Sequence, residues 1–132
     1  AIYPCILFHT YFLDTFLYIC FLYYKSTLHI HFQLTFSCEN DSFFDCVFCI
    51  QTLEHLASPE LVLMEFDRVC KKNGVIFISI PNGELDTYEG HINFWNEERF
   101  KAFLSPREVL GFKLLNENRV FMVALRPLKV TK

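Results

Sequence analysis

The stretch FDCVFCIQTLEHL, residues 44–56, opens as an apolar run and closes on two polar side chains, Glu54 and His55. From Phe44 to Ile50 the only charged residue is Asp45. A run of this kind reads as a strand buried on both faces, as in a parallel sheet. In an open α/β sheet, ligands bind outside the carboxyl ends of the strands. Gln51, Glu54 and His55 follow this strand and so fall at that edge.

Working outward, Ser58-Pro59-Glu60 marks a helix start, with Ser58 as N-cap, Pro59 first in the helix and Glu60 in the first turn. Val62, Phe66 and Val69 repeat at helical spacing, and Leu63 and Cys70 widen the stripe. Lys71 and Lys72 suit a helix C-terminus, and Gly74 is expected to leave it in a left-handed conformation. VIFISI, residues 75–80, reads as a second buried strand, stopped by Pro81-Asn82-Gly83. Strand, helix and strand make a βαβ unit with parallel strands and a right-handed crossover.

The long loop that follows suggests function. Asn96 caps a further helix, with Glu97 and Glu98 in its first turn and Trp95 packing on Phe100 as a hydrophobic staple. Phe100, Phe103 and Leu104 form its apolar face. FKLL and VFMVALR, on either side of Asn116-Glu117-Asn118, read as a closing antiparallel hairpin.

Composition limits the function classes. With 132 residues the chain is long enough for one small domain. A net charge of −3 gives no general affinity for nucleic acid. Residues 1–37 carry only two formally charged side chains, Asp14 and Lys25, and all four glycines (Gly74, Gly83, Gly90, Gly111) lie later. The composition breaks near Cys38–Asp41. Residues 1–40 therefore read as a hydrophobic segment distinct from residues 41–132.

Three readings of that segment stand side by side. Residues 2–24 are long enough to cross a bilayer, although Asp14 at the centre would cost roughly 2.5–3.5 kcal/mol. The bias to Phe, Tyr, Leu, Ile, His, Ser and Cys is also that of translated pyrimidine-rich noncoding DNA, which would make the segment spurious. Core strands and a helix of the domain are the third reading. No basic region and small-residue cleavage site mark a signal peptide. Cys46 and Cys49 have C-x-x-C spacing, but in a strand that spacing puts them on opposite faces. They read as buried small hydrophobes, as fits a reducing cytosol.

FDCVFCIQTLEHL, ELVLMEFDRVCKKNGVIFISIPN, HINFWNEERFKAFL and GFKLL, in that order, resemble the C-terminal half of a class I S-adenosylmethionine-dependent methyltransferase. The resemblance runs over about residues 41–128. It implies an α/β, Rossmann-like fold, truncated to the C-terminal half of a mostly parallel sheet with a closing antiparallel hairpin. It implies S-adenosylmethionine as cofactor, met by Cys49, Ile50 and Gln51 mostly through backbone and apolar surface. Glu54, His55 and His91 are then the candidate catalytic residues. A small-molecule acceptor and a cytoplasmic setting are expected, with membrane attachment through residues 2–24 kept open.

Certain relatives, the small-RNA 2′-O-methyltransferases and some ubiquinone-biosynthesis O-methyltransferases, carry E-x-x-E-H for a divalent metal. This chain has Gln51 in the first place, then Glu54, His55 and the later His91. The expectation is no metal, with those three residues as the alternative ligand set, suited to Mn²⁺, Co²⁺ or Zn²⁺ more than Mg²⁺.

The family's Gly-rich turn after its first strand, and the acid that takes the ribose hydroxyls, have no counterpart before Gly74. Residues 1–40 are expected to be too short, and of the wrong composition, for three strands with their helices. That would leave the edge of the 44–50 strand uncovered. The chain then reads as a fragment of a larger enzyme, or as one whose N-terminal half has been replaced. Whether it is itself catalytic stays open. A non-catalytic, membrane-tethered or interaction remnant is the alternative, and a dehydrogenase is disfavoured because L-E-H, PN and H-x-x-F have no role in one.

Overall fold

β-branched and aromatic runs form the strands, and where both neighbours are strands the side chains alternate between faces. The computed structural model describes residues 5–13, 16–23, 26–31 and 41–129. Its strands are β1 (Cys5–Leu13), β2 (Phe16–Tyr23), β3 (Ser26–His31), β4 (Phe44–Ile50), β5 (Cys70–Pro81), β6 (Val109–Leu115) and β7 (Val120–Leu125). Two helices, α1 (Pro59–Val69) and α2 (Glu97–Leu104), and a 3₁₀ turn at Leu53–His55 complete the described elements.

The seven strands form one mixed sheet in the order β3-β2-β1-β4-β5-β7-β6. The expected βαβ unit is present: β4 and β5 are parallel, with Val47 opposite Ile76 and Cys49 opposite Ile78, and α1 connects them. The hairpin is present too, as β6 and β7 pair antiparallel and β7 pairs antiparallel with β5. Asn116, Glu117 and Asn118 turn it with positive φ, a conformation Asn tolerates better than most residues.

Alternation along β4, β5 and β7 places Val47, Cys49, Ile76, Ile78, Ile80, Phe121, Val123 and Leu125 on one buried face. Leu63 and Phe66 of α1 and Phe100 and Leu104 of α2 join them in the core. Each such side chain contributes roughly 1.5–3 kcal/mol by leaving water. The opposite face carries Phe48 stacked on Phe77, with ring centroids 4.9 Å apart, and both are only half-buried. The expectation of a strand buried on both faces therefore holds for one face of β4 only.

Two local expectations are corrected. Helix α1 ends at Val69, and its C-cap Cys70 is extended, its amide donating to Phe66 O. Lys71, Lys72 and Gly74 belong to β5, and no glycine among the described residues has positive φ. Gly74 is required by space: a Cβ there would sit 2.7 Å from the Asp45 carbonyl, at the register shift between Phe44 and Cys46. Ser58 does occupy the N-cap, but its hydroxyl makes no capping bond. The α2 cap is as read, with Asn96 Oδ1 accepting from Arg99 N at 2.9 Å. Trp95 packs on Phe100 and Phe103 at 6.1 and 5.2 Å between centroids.

The first segment supplies three strands and, among the described residues, no helix. β1 pairs parallel with β4, Cys5 opposite Cys46 through His9 opposite Ile50, while β1, β2 and β3 form an antiparallel meander. The β4 edge is thus covered, contrary to expectation. Residues 14–15 and 24–25, on which part of the membrane reading rests, lie outside the described residues. No helix among the described residues is long and apolar enough to cross a membrane.

Candidate active site

At the carboxyl end of β4 the chain turns at Gln51, a non-glycine residue with φ of 47°. A left-handed conformation costs such a residue roughly 1–2 kcal/mol. Two bonds to one neighbour on β5 hold it: Gln51 N donates to Ser79 O at 2.9 Å, and Nε2 to Ser79 Oγ at 3.3 Å. Thr52 Oγ1 donates back to Ile50 O at 2.9 Å. The turn drives Leu53 into the core, fully buried, and leaves Glu54 and His55 above the sheet edge.

The loop after β5 is closed at its base. Asn82, itself buried, donates from its backbone to Arg119 O (2.7 Å) and from Nδ2 to Asn118 O (3.0 Å), while Oδ1 accepts from Glu84 N (3.1 Å). Gly83 N donates to Trp95 O at 2.8 Å, so the chain leaves and returns at one point, as in an Ω-loop. A Cβ on Gly83 would lie 2.7 Å from Phe94 C and from Trp95 N, both backbone. Gly83→Ala is therefore expected to destabilise the protein by about 1–3 kcal/mol, as overpacking does. Urea unfolding should show this as a lower midpoint with unchanged slope; an unshifted midpoint would mean the loop base yields freely.

The loop is then stitched onto the Leu-Glu-His turn. Ile92 N and Asn93 N both donate to Glu54 O, at 2.9 and 3.0 Å. Asn93 Nδ2 donates to Leu53 O at 3.0 Å and to Leu56 O at 2.6 Å. These bonds bring His91, from the far side of the sheet connection, over Glu54.

His55 Nε2 and His91 Nε2 each lie 4.0 Å from Glu54 Oε1. The two imidazole rings meet edge to face, 4.6 Å between centroids, and Tyr88 lies 4.8 Å from His91. Glu54 is 0% exposed, and neither carboxylate oxygen has a hydrogen-bond partner among the described residues. Burial pushes its pKa up to about 7; the backbone amide of Glu54 itself opposes this and Asp86 adds to it. Burial also lowers the His55 pKa, the Gly90 carbonyl at 3.3 Å from Nδ1 opposing and His91 reinforcing. His91 Nδ1 lies 2.5 Å from Asp86 Oδ2.

Of the residues singled out in the sequence, Glu54, His55 and His91 converge: one ligand atom from each lies within 4.8 Å of the others. A carboxylate with two imidazoles is a donor set that borderline divalent ions accept, and the orphaned oxygens of Glu54 fit that use. Ile50 is half-buried and Gln51 stands at the strand end, as the cofactor reading needs. Cys49 does not serve it through its side chain, which is fully buried in the core, where burial pushes the thiol above its ordinary range. Asp45 forms an ion pair with Lys71 Nζ at 2.8 Å.

Sequence reasoning missed Asp86, Tyr88 and Asn93. An acid five residues before His91 and an amide two residues after it were the signals available.

The fit to S-adenosylmethionine is one-sided. The Ile50–Gln51 edge is present. On the β1 side, β1 ends at Leu13 and β2 returns antiparallel from Phe16, so no helix N-terminus follows β1 to face a bound ligand. No glycine precedes Gly74. The residues described do not complete a site for this cofactor.

Residues 30–78 match the family model described as a methyltransferase domain. Over 99 residues the chain is 25% identical to the ubiquinone biosynthesis O-methyltransferase of Rickettsia prowazekii, covering 68% of this chain and 38% of that protein. The same protein of Rickettsia typhi matches at 25% over 99 residues, with 39% of its length covered. The chain thus spans well under half the length of these curated relatives. Its fold is that of a SAM-dependent methyltransferase from Aquifex aeolicus, with a TM-score of 0.63 at 16% identity, over 79% of this chain and 56% of the other. Parallel β4 and β5, the closing hairpin and the Leu-Glu-His turn agree with these likenesses: the fold is that of S-adenosylmethionine-dependent methyltransferases, and residues 30–78 resemble their methyltransferase domain.

Proposed function

We propose that the chain serves methyl transfer to a hydroxyl or amine of a small molecule, with Glu54, His55 and His91 taking the acceptor's proton. The observation that carries this reading is the buried Glu54 carboxylate facing two imidazole nitrogens at 4.0 Å. A bound S-adenosylmethionine would supply an electrophilic methyl group, with alignment providing much of the rate. What remains for the protein is to remove a proton. A neutral imidazole does this best when its pKa lies near the working pH. Glu54, held near neutrality by burial, takes up or gives back that proton across a short gap. Small-molecule acceptance is supported by the O-methyltransferase names of the Rickettsia relatives.

Incubation of the chain with methyl-labelled cofactor at millimolar concentration and a panel of phenols and amines tests this. Transfer is expected, and His91→Ala should slow it by about 10²–10⁴-fold. Transfer unchanged in His91→Ala would remove the proposed base. Absence of transfer from every acceptor would favour the non-catalytic remnant, a reading that the one-sided cofactor edge supports.

A second use of the same atoms is a divalent cation held by Glu54, His55 and His91, favoured by the two unpartnered buried oxygens. Bound there, a cation would lower the pKa of an acceptor hydroxyl. Titration with Mn²⁺ should then show a single site that is lost in Glu54→Gln, and equal binding by the variant would exclude this ligand set.

A further inference from the structure

Two imidazoles face Glu54, and the structure distinguishes them by what stands behind each ring. Behind His55, Nδ1 faces the backbone carbonyl of Gly90 at 3.3 Å. Behind His91, Nδ1 faces the carboxylate of Asp86 at 2.5 Å. That carboxylate is held from its other oxygen, Oδ1 accepting from Tyr88 N at 3.1 Å. Its side chain is only 7% exposed, and that of His91 only 12%. An ionised carboxylate accepts hydrogen bonds and donates none, so Nδ1 must be the protonated nitrogen. In a neutral imidazole the other nitrogen then carries the lone pair. For His91 that nitrogen is Nε2, the atom aimed at Glu54.

We propose that Asp86 is a positioning residue that fixes His91 in the Nδ1–H tautomer, so that Nε2 presents its lone pair to the site. A charge-assisted bond is roughly twice as strong as a neutral one. The bond to Asp86 therefore holds the His91 ring in place and keeps its proton on Nδ1. His91 Nε2 is thereby the lone pair held toward Glu54. The geometry for this is local. Asp86 and His91 are five residues apart within the closed Gly83–Trp95 loop, so the base and its support move together over Glu54.

The catalytic part rests on the reading of His91 under the proposed function; the tautomer does not. Imidazole ¹⁵N NMR of the intact chain, at a pH high enough to leave the rings neutral, reads it directly. His91 is expected to show a protonated Nδ1 and a bare Nε2. In Asp86→Ala the Nδ1–H signature of His91 should be lost while that of His55 persists as an internal control for the fold. Asp86→Asn, which keeps an acceptor oxygen, should restore it. Wild-type His91 with its proton on Nε2, or an unchanged tautomer in Asp86→Ala, would overturn the proposal whatever the variants do to stability. Methyl transfer is expected to fall about 10–100-fold in Asp86→Ala. The expected tautomers without any methyl transfer would leave the role of Asp86 standing and remove the proposed function instead.

Discussion

Titrated with S-adenosylmethionine, the 132-residue chain is expected to bind in the millimolar range or not at all. β4 offers Ile50 and Gln51 on one side of the place where the cofactor would lie. On the other side β1 passes to β2 without an intervening helix, and no glycine permits a close backbone approach before Gly74. Among the described residues, β1–β3 carry no acid that could take the ribose and lead into no helix whose amides could meet the methionine portion. Hydrogen bonds to charged groups contribute roughly 1.5–3 kcal/mol each. Every 1.4 kcal/mol is about tenfold in affinity. Loss of three such bonds takes a micromolar site to about millimolar or beyond. Isothermal titration calorimetry reads the result. A micromolar dissociation constant, abolished by substitution at Ile50 or by Glu54→Ala, would show that strands β1–β3 build a cofactor site of their own.

Stability should fall as pH rises from about 4.5 to about 7, and Glu54→Gln should remove most of that fall. The ordinary glutamate value is 4.5 and the buried group titrates at about 7 in the folded protein. Between those values the folded state binds the proton and the unfolded state releases it, so each step up in pH favours unfolding. The contribution is fully present below 4.5 and lost as pH passes 7. A rise of this size corresponds to about 3 kcal/mol. His55 acts in the opposite sense: its lowered pKa favours the folded state above 6.5 and less so as pH falls. The difference between wild type and Glu54→Gln isolates the carboxyl group. Urea denaturation at several pH values, with chelator present, should give curves that diverge by about this amount. Parallel curves would mean that Glu54 is solvated or paired.

The βαβ unit was legible because its signals are local: an apolar run, a Pro-led helix start, a second apolar run and Pro81-Asn82. The hairpin was legible from three turn residues between alternating runs. The end of α1 was not, because Lys71, Lys72 and Gly74 look alike at a helix terminus and in a bulged strand. Only the approach of Gly74 to the Asp45 carbonyl decides between them, and that contact joins residues far apart in sequence. The strands of the first segment stayed one reading among three for another reason. Their pairing with β4 is long-range and parallel, and a uniformly apolar sequence does not announce its partner. Glu54, His55 and His91 were found by motif. Asp86 was not, since an acid in a polar loop carries no periodic signal, and its role depends on the loop closing at Gly83 and Trp95.

That closure separates inheritance from innovation. Gly83 and Trp95 fasten the loop to its scaffold, and Asn93 fastens it to the turn bearing Glu54. Tyr88 and Phe94 lie against His91, and with Leu85 and Ile92 of the same loop they are exposed. Point changes at these exposed positions alter the surface beside His91 while the clasp and the sheet stay as they are. The exposed surface can therefore change in single steps, each intermediate remaining folded, because what faces outward and what holds the loop are written in different residues.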